Sequence, residues 1–195
     1  MTPLSGRLRP LLPIAFLALG GGRAAAQAGL TSPARVISLA ATAQGALSLV
    51  VTSGATQSIA SLSDNALNPF PTPVVLAANW NLNPGQTATV SVVAWFAVPS
   101  QALVNGASGA AIPSSRIEGR VATGAPVTYT AFTQNPVGGI GAAGGSLRLY
   151  TVPITGANKQ SGRTDNLELR INLVGQPALD PGTYSGTLNI RAVTQ

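Results

Sequence analysis

The side chains able to do chemistry in this chain are few. Asp64, Glu118, Asp165, Glu168 and Asp180 are its acids, Lys159 is its one lysine, and it has neither histidine nor cysteine. Without histidine the usual general base, proton shuttle and commonest metal ligand are all missing. A nucleophilic serine would then need a lysine as its base, and Lys159 sits in the loop-like run Gly156-Ala-Asn-Lys-Gln-Ser161. Glycoside hydrolysis needs two carboxylates facing across a cleft, which nothing in the spacing of these acids arranges. Glu168 and Arg170 alternate onto one strand face and read as a surface pair. Asp165 falls in the polar run Ser161–Asn166, and Asp180 in a turn. Asp64, Asn65 and nearby carbonyls have the chemistry of calcium ligands, but not enough of it to define a site. Gly139-Ile-Gly-Ala-Ala-Gly144 matches a dinucleotide fingerprint in letters alone. That motif must open a helix, whereas Gly145-Ser146 leads into the strand-like Leu147-Arg-Leu-Tyr150. The expectation is a non-enzyme without cofactor or metal.

Binding residues are as sparse. Trp80 shares the apolar face of its segment and reads as a core aromatic. Trp95 falls opposite Val90, Val92 and Phe96, beside Thr89, Ser91 and Val93. Two readings stay open for it: an exposed ring that stacks on a sugar or marks a subunit contact, or a strand buried on both faces. The basic residues are dispersed and form no patch of the kind that meets nucleic acid.

These side chains sit in a chain that begins like an exported protein. Arg7 and Arg9 precede the apolar run Leu11–Leu19, and Ala24-Ala-Ala-Gln-Ala28 follows. This is the layout of a signal peptide over 1–28, cut after Ala28, with Ala26 as the second site. The apolar run is too short to span a bilayer, which needs about 20 residues. Without Arg7, Arg9 and Arg23 the remainder carries eight basic and five acidic residues, a net charge of +3. Charged residues make up 8% of the sequence, against roughly 25% in ordinary soluble domains. Thr, Ser, Asn, Gln and Gly must therefore cover the surface. Residues 29–195 suffice for one domain with its own core.

No window shows a helical period with caps. Short alternating segments recur instead, separated by turn residues, and predict an all-β sandwich. Strands are expected at 34–41 and 46–52, around Gln44-Gly45. Residues 74–82 and 87–98 read as a hairpin through Asn83-Pro-Gly-Gln86. Further strands are expected at 127–133, 146–153 and 166–174, the last with Leu167, Leu169, Ile171 and Leu173 inward. Residues 99–126 read as one long loop. Within it, Ile117-Glu-Gly-Arg120 matches the recognition site of a clotting protease, by coincidence in a chain of this kind.

The clearest segment comes last. Leu179-Asp-Pro-Gly-Thr-Tyr184 is a turn feeding an alternating strand, with Tyr184, Leu188, Ile190 and Ala192 on one face. Pro181, Gly182 and Tyr184 have the pattern of a tyrosine corner, in which the Tyr hydroxyl bonds back to the backbone a few residues upstream. In an immunoglobulin-like antiparallel sandwich this would be strand F, and the following strand G is missing. In its signal peptide and its final Pro-Gly-Thr-Tyr strand, the chain resembles exported bacterial pilin-like sandwiches. These include the spore-coat-U-like and chaperone–usher subunits, many of which have a disulfide that this cysteine-free chain lacks.

The resemblance implies a structural or adhesive protein of the periplasm or cell surface, assembling through an open sheet edge by strand donation. Residues 35–41 are the candidate donor. The alternative is a recognition module that binds glycan through Trp95 and the 99–126 segment.

Overall fold

The computed structural model describes residues 46–82 and 89–195. The signal-peptide reading, the 34–41 strand and the Asn83–Gln86 turn lie outside them. The described residues form antiparallel sheets and contain no α-helix. The strands are β1 (Ala46–Ser53), β2 (Leu67–Pro69), β3 (Val74–Asn81), β4 (Thr89–Trp95), β5 (Leu103–Asn105), β6 (Ala111–Ile112), β7 (Ile117–Val121), β8 (Thr130–Ala131), β9 (Ser146–Pro153), β10 (Gln160–Asn172), β11 (Tyr184–Ser185) and β12 (Asn189–Thr194). Single 3₁₀ turns lie at Pro99–Gln101 and Ser114–Arg116.

One sheet runs β1-β3-β10-β7-β8, with β2 also paired to β10. A second runs β12-β4-β9, and a small third one β11-β5-β6. The two larger sheets share one core. Leu76, Ala78, Trp80, Leu167 and Leu169 come from the first, and Val90, Val92, Ala94, Leu147, Leu149, Ile190 and Ala192 from the second. Each set occupies alternate positions of its strands, as a half-buried strand requires.

The expected 74–82/87–98 hairpin does not form. β3 pairs with β1 and β10, while β4 pairs with β12 and β9. Both segments carry an apolar face, and both edges of each are taken by other strands, so the two faces meet across the core instead. Ser91 and Val93 on the other face of β4 are buried too, so β4 is a central strand covered on both sides.

The 99–126 segment is not one long loop. It contains β5, β6 and β7, and β7 pairs with β10 along its whole length. Ile117, Gly119 and Val121 face inward, and the whole protease-like tetrapeptide is strand. Glycine suits that place: a Cβ on Gly119 would lie 3.0 Å from Leu147 Cδ2 and 3.2 Å from Leu167 Cδ1. The 127–133 segment shrinks to the two residues of β8, whereas β10 begins six residues earlier than expected and takes in the polar run around Asp165. The final strand is interrupted. Tyr184 and Ser185 pair with β5, and the alternating strand resumes only at Asn189.

Candidate functional site

Where β1 ends, the core is left open to the surface. Pairing with β3 shifts register between Val51 and Ser53, a bulge of the kind that terminates a ladder. Beyond it lies a groove of about 1070 Å³. Its floor is made of core side chains from several strands, including Val74, Phe96, Ile117, Leu169, Ile171 and Ile190, each under 10% exposed. Protein cores close to crystal-like density with few voids larger than a water. The groove adjoins a smaller cluster in which Ile59, Leu62, Leu179 and Tyr184 pack around Ile112, Ile171 and Leu173, while Phe70 and Leu103 pack against both this cluster and the main core.

Two backbone straps wall the groove, residues 54–64 and 179–188. Side chains hold the first strap in place. The Gln57 carboxamide donates to the Gly54 carbonyl at 2.9 Å, and the buried Asn68 accepts from Ser63 N–H at 2.7 Å and donates to the Ser63 and Ala66 carbonyls. Asp64 accepts from Leu179 N–H, and Asn65, at φ +50°, accepts from Gly175 N–H at 2.7 Å. The two residues weighed as calcium ligands thus tie down the approach to the second strap.

The second strap contains the predicted corner. Tyr184 Oη donates to the Asp180 carbonyl at 3.2 Å. The buried Asn105 side chain donates to the Pro181 carbonyl at 3.2 Å while accepting from Ala107 N–H at 3.0 Å. Gly182 sits at φ +143°, and a Cβ there would lie 2.6 Å from Asn105 Nδ2. Only glycine fits. The structure thus brings Pro181, Gly182 and Tyr184 together at the groove.

It does not bring the tryptophans there. Trp80 is buried in the core and its indole N–H donates to the Asn158 carbonyl at 2.9 Å. Trp95 is half-buried on the outer face of the β12-β4-β9 sheet, packed with Val93, Val137, Ile140 and Val193. The Arg191 guanidinium lies 6.0 Å from its ring centre. The 134–145 segment, which includes the G-x-G-x-x-G letters, covers this face as turns before β9.

The acids are mostly engaged by neighbouring strands. Glu168 does not pair with Arg170. It accepts two bonds from Arg120 of β7, at 2.8 and 3.0 Å, and one from Tyr129 Oη at 3.0 Å. Arg170 pairs instead with Glu118, because directly opposed residues on antiparallel strands come closer than alternate residues on one. Both guanidinium groups lie over the Tyr129 ring, at 4.7 and 4.0 Å. The Arg120 hydrogen bonds lower the Glu168 carboxyl below its ordinary value. Partial burial opposes them, and Tyr129 adds to the lowering. Asp165 is 2% exposed and bound by both Arg163 and Thr123. Among the described residues no three acids, histidines or cysteines gather to hold a metal. Nor is any helix long and apolar enough to cross a membrane.

Sequence reasoning missed the 54–64 wall. Its one available signal was Ile59 and Leu62, large apolar residues in an otherwise Ser-rich run. No protein-family model, curated protein or solved structure matches the chain.

Proposed function

We propose that this chain is a non-catalytic, exported structural or adhesive surface protein, built as an immunoglobulin-like β-sandwich that assembles through pairing at a strand edge. The observation that carries this reading is the groove. It is floored by core residues and walled by two hydrogen-bonded straps. Each Å² of apolar groove lining that an occupant covers is worth about 25 cal/mol. An inserted strand would gain this, with main-chain bonds added. The resemblance to pilin-like subunits supports the same reading, through a tyrosine corner that forms one wall of the opening.

Glycan recognition at Trp95 has less support. The ring packs against Val137 and Ile140, with Arg191 alongside, and the 99–126 segment contributes β5, β6 and β7 to the sheets.

The test is self-association of the exported chain, followed by sedimentation velocity over rising concentration. Association that is lost in Leu62→Lys, with the unfolding midpoint kept, supports the reading. A chain that stays monomeric at high concentration overturns it.

A further inference from the structure

Asp180–Pro181 is the one Asp–Pro bond in the chain, and the fold holds it from both sides. Leu179, just before it, packs against the Ile112, Ile171 and Leu173 cluster and donates its N–H to Asp64 at 3.5 Å. Just after it, the Pro181 carbonyl accepts from the buried Asn105 side chain at 3.2 Å, and Tyr184 pairs with Asn105 across β11 and β5. The carbonyl of the bond itself, that of Asp180, accepts from Tyr184 Oη. The Asp180 side chain is exposed, and among the described residues it makes no hydrogen bond or ion pair. Asp64 is the other charged group along the groove lining, and no base accompanies the two.

A carboxylate on the residue before proline can close a cyclic anhydride on its own peptide carbonyl. It needs no second molecule, the usual advantage of an intramolecular nucleophile. Proline suits the other side of the bond, because its nitrogen carries no N–H and leaves as a secondary amine. In an unfolded chain only water can donate to the charge that develops on the carbonyl oxygen. Here Tyr184 Oη already stands 3.2 Å from that oxygen, in the position of an oxyanion donor.

We infer that the chain cleaves itself at Asp180–Pro181 in mild acid, with Asp180 as nucleophile and Tyr184 as oxyanion donor. It is one event per molecule, without turnover. A carboxylate oxygen of Asp180 bonds to the carbonyl carbon of the same residue, and the C–N bond to Pro181 breaks. The nitrogen takes a proton from solvent and leaves as an amine. Water then opens the anhydride, so that one peptide bond and one water become a carboxylic acid and an amine. Acid drives the step forward, since an α-amine is protonated below about pH 7 and cannot re-attack the anhydride beside it. The cut severs the second strap, while residues 189–194 stay paired with β4. The groove thereby loses a covalent wall. None of this depends on assembly at the groove.

The exported chain is held at about pH 5 and about pH 9, on either side of the α-amine's titration, both folded and in urea. Denaturing mass spectrometry then reads the released fragment 181–195. Release is expected from the folded chain at the lower pH, independent of protein concentration and about tenfold faster than from the unfolded chain. Asp180→Ala, at an exposed position, should release none. Tyr184→Phe should slow release about tenfold, less than the about 10²–10³ lost with an enclosed donor, because this hydroxyl meets water.

Equal release from folded and unfolded chains reduces the bond to ordinary Asp–Pro lability and overturns the inference. So does release from Asp180→Ala, an unslowed Tyr184→Phe, or no release at all. Each of these outcomes leaves the assembly reading standing, because self-association is measured separately.

Discussion

Tyr184 Oη and the Asp180 carbonyl oxygen lie 3.2 Å apart, and that one bond closes the turn forming a wall of the groove. Removing the hydroxyl keeps the ring, which packs with Leu179 and Ile171. Tyr184→Phe should therefore cost about 1 kcal/mol, the net worth of a typical hydrogen bond. In a domain of this size that lowers the thermal midpoint by about 2–4 °C. The same variant should associate more weakly than its stability loss alone explains, because the wall loosens. Unchanged melting and unchanged association together would assign Tyr184 no role in the turn.

The Arg120–Glu168 contact gives the fold an acid limb. In the folded chain the Glu168 carboxyl titrates below its ordinary value of 4.5, so the unfolded chain takes up this proton first as the pH falls. The contribution is fully present above about pH 4.5 and is lost as the pH drops towards the folded value. Urea midpoints measured from pH 6 to 3 should fall less steeply in Glu168→Gln than in the parent. Identical slopes would dismiss the contact as a source of pH dependence.

Tyr150 sets the opposite limb. Burial is the main force raising its hydroxyl above the ordinary value of 10, so the unfolded chain ionises first and stability falls as the pH rises past about 10. That hydroxyl is buried without a partner, while the Arg163 guanidinium stacks over the ring at 4.1 Å. Tyr150→Phe leaves no polar group unpaired and should be neutral or stabilising by up to about 1 kcal/mol. It should also flatten the alkaline limb. A clear loss of stability at pH 7 would mean that the hydroxyl has a partner.

Asp165 behaves differently because its carboxylate is buried and used. Asp165→Ala strands Arg163 and the Thr123 hydroxyl together. We expect a loss of about 3 kcal/mol, at the low end for breaking a buried pair, since Arg163 keeps some access to water. Chemical denaturation measures it, and a loss under about 1 kcal/mol would show that the pair is dispensable.

The tetrapeptide Ile117-Glu-Gly-Arg120 makes a further expectation. It lies wholly in β7, paired with β10 throughout and with β8 at Glu118 and Gly119, and a protease needs its substrate extended and free. The clotting protease with this specificity should leave the native chain intact and cut after Arg120 once urea unfolds it. Rapid native cleavage would mean that β7 opens locally.

Much of the all-β character was legible in the sequence, since Leu167, Leu169 and Ile171 or Val90, Val92 and Ala94 alternate without ambiguity. The tyrosine turn was legible too, because glycine and proline impose local geometry that tertiary packing rarely overrides. Strand partnership was not. An apolar face on 74–82 and another on 89–95 are equally consistent with neighbours in one sheet and with opposed faces of two. Only the competition of β9, β10 and β12 for those edges decides it. β7 escaped notice because Gly119 takes the central inward position, where a large residue would have signalled a strand. The groove escaped for a related reason: its floor comes from residues between Phe70 and Ile190, far apart along the chain.

β4 and β12 are paired across nearly a hundred residues of intervening chain, and β3 meets β10 at a similar remove. Closing such distant partners costs loop entropy before any contact repays it, which places this topology among slow folders. Until residues 189–194 are available, one side of β4 has no neighbour and its apolar face lacks Ile190 and Ala192. The time spent in that state, rather than the final stability, is what would expose this chain to aggregation.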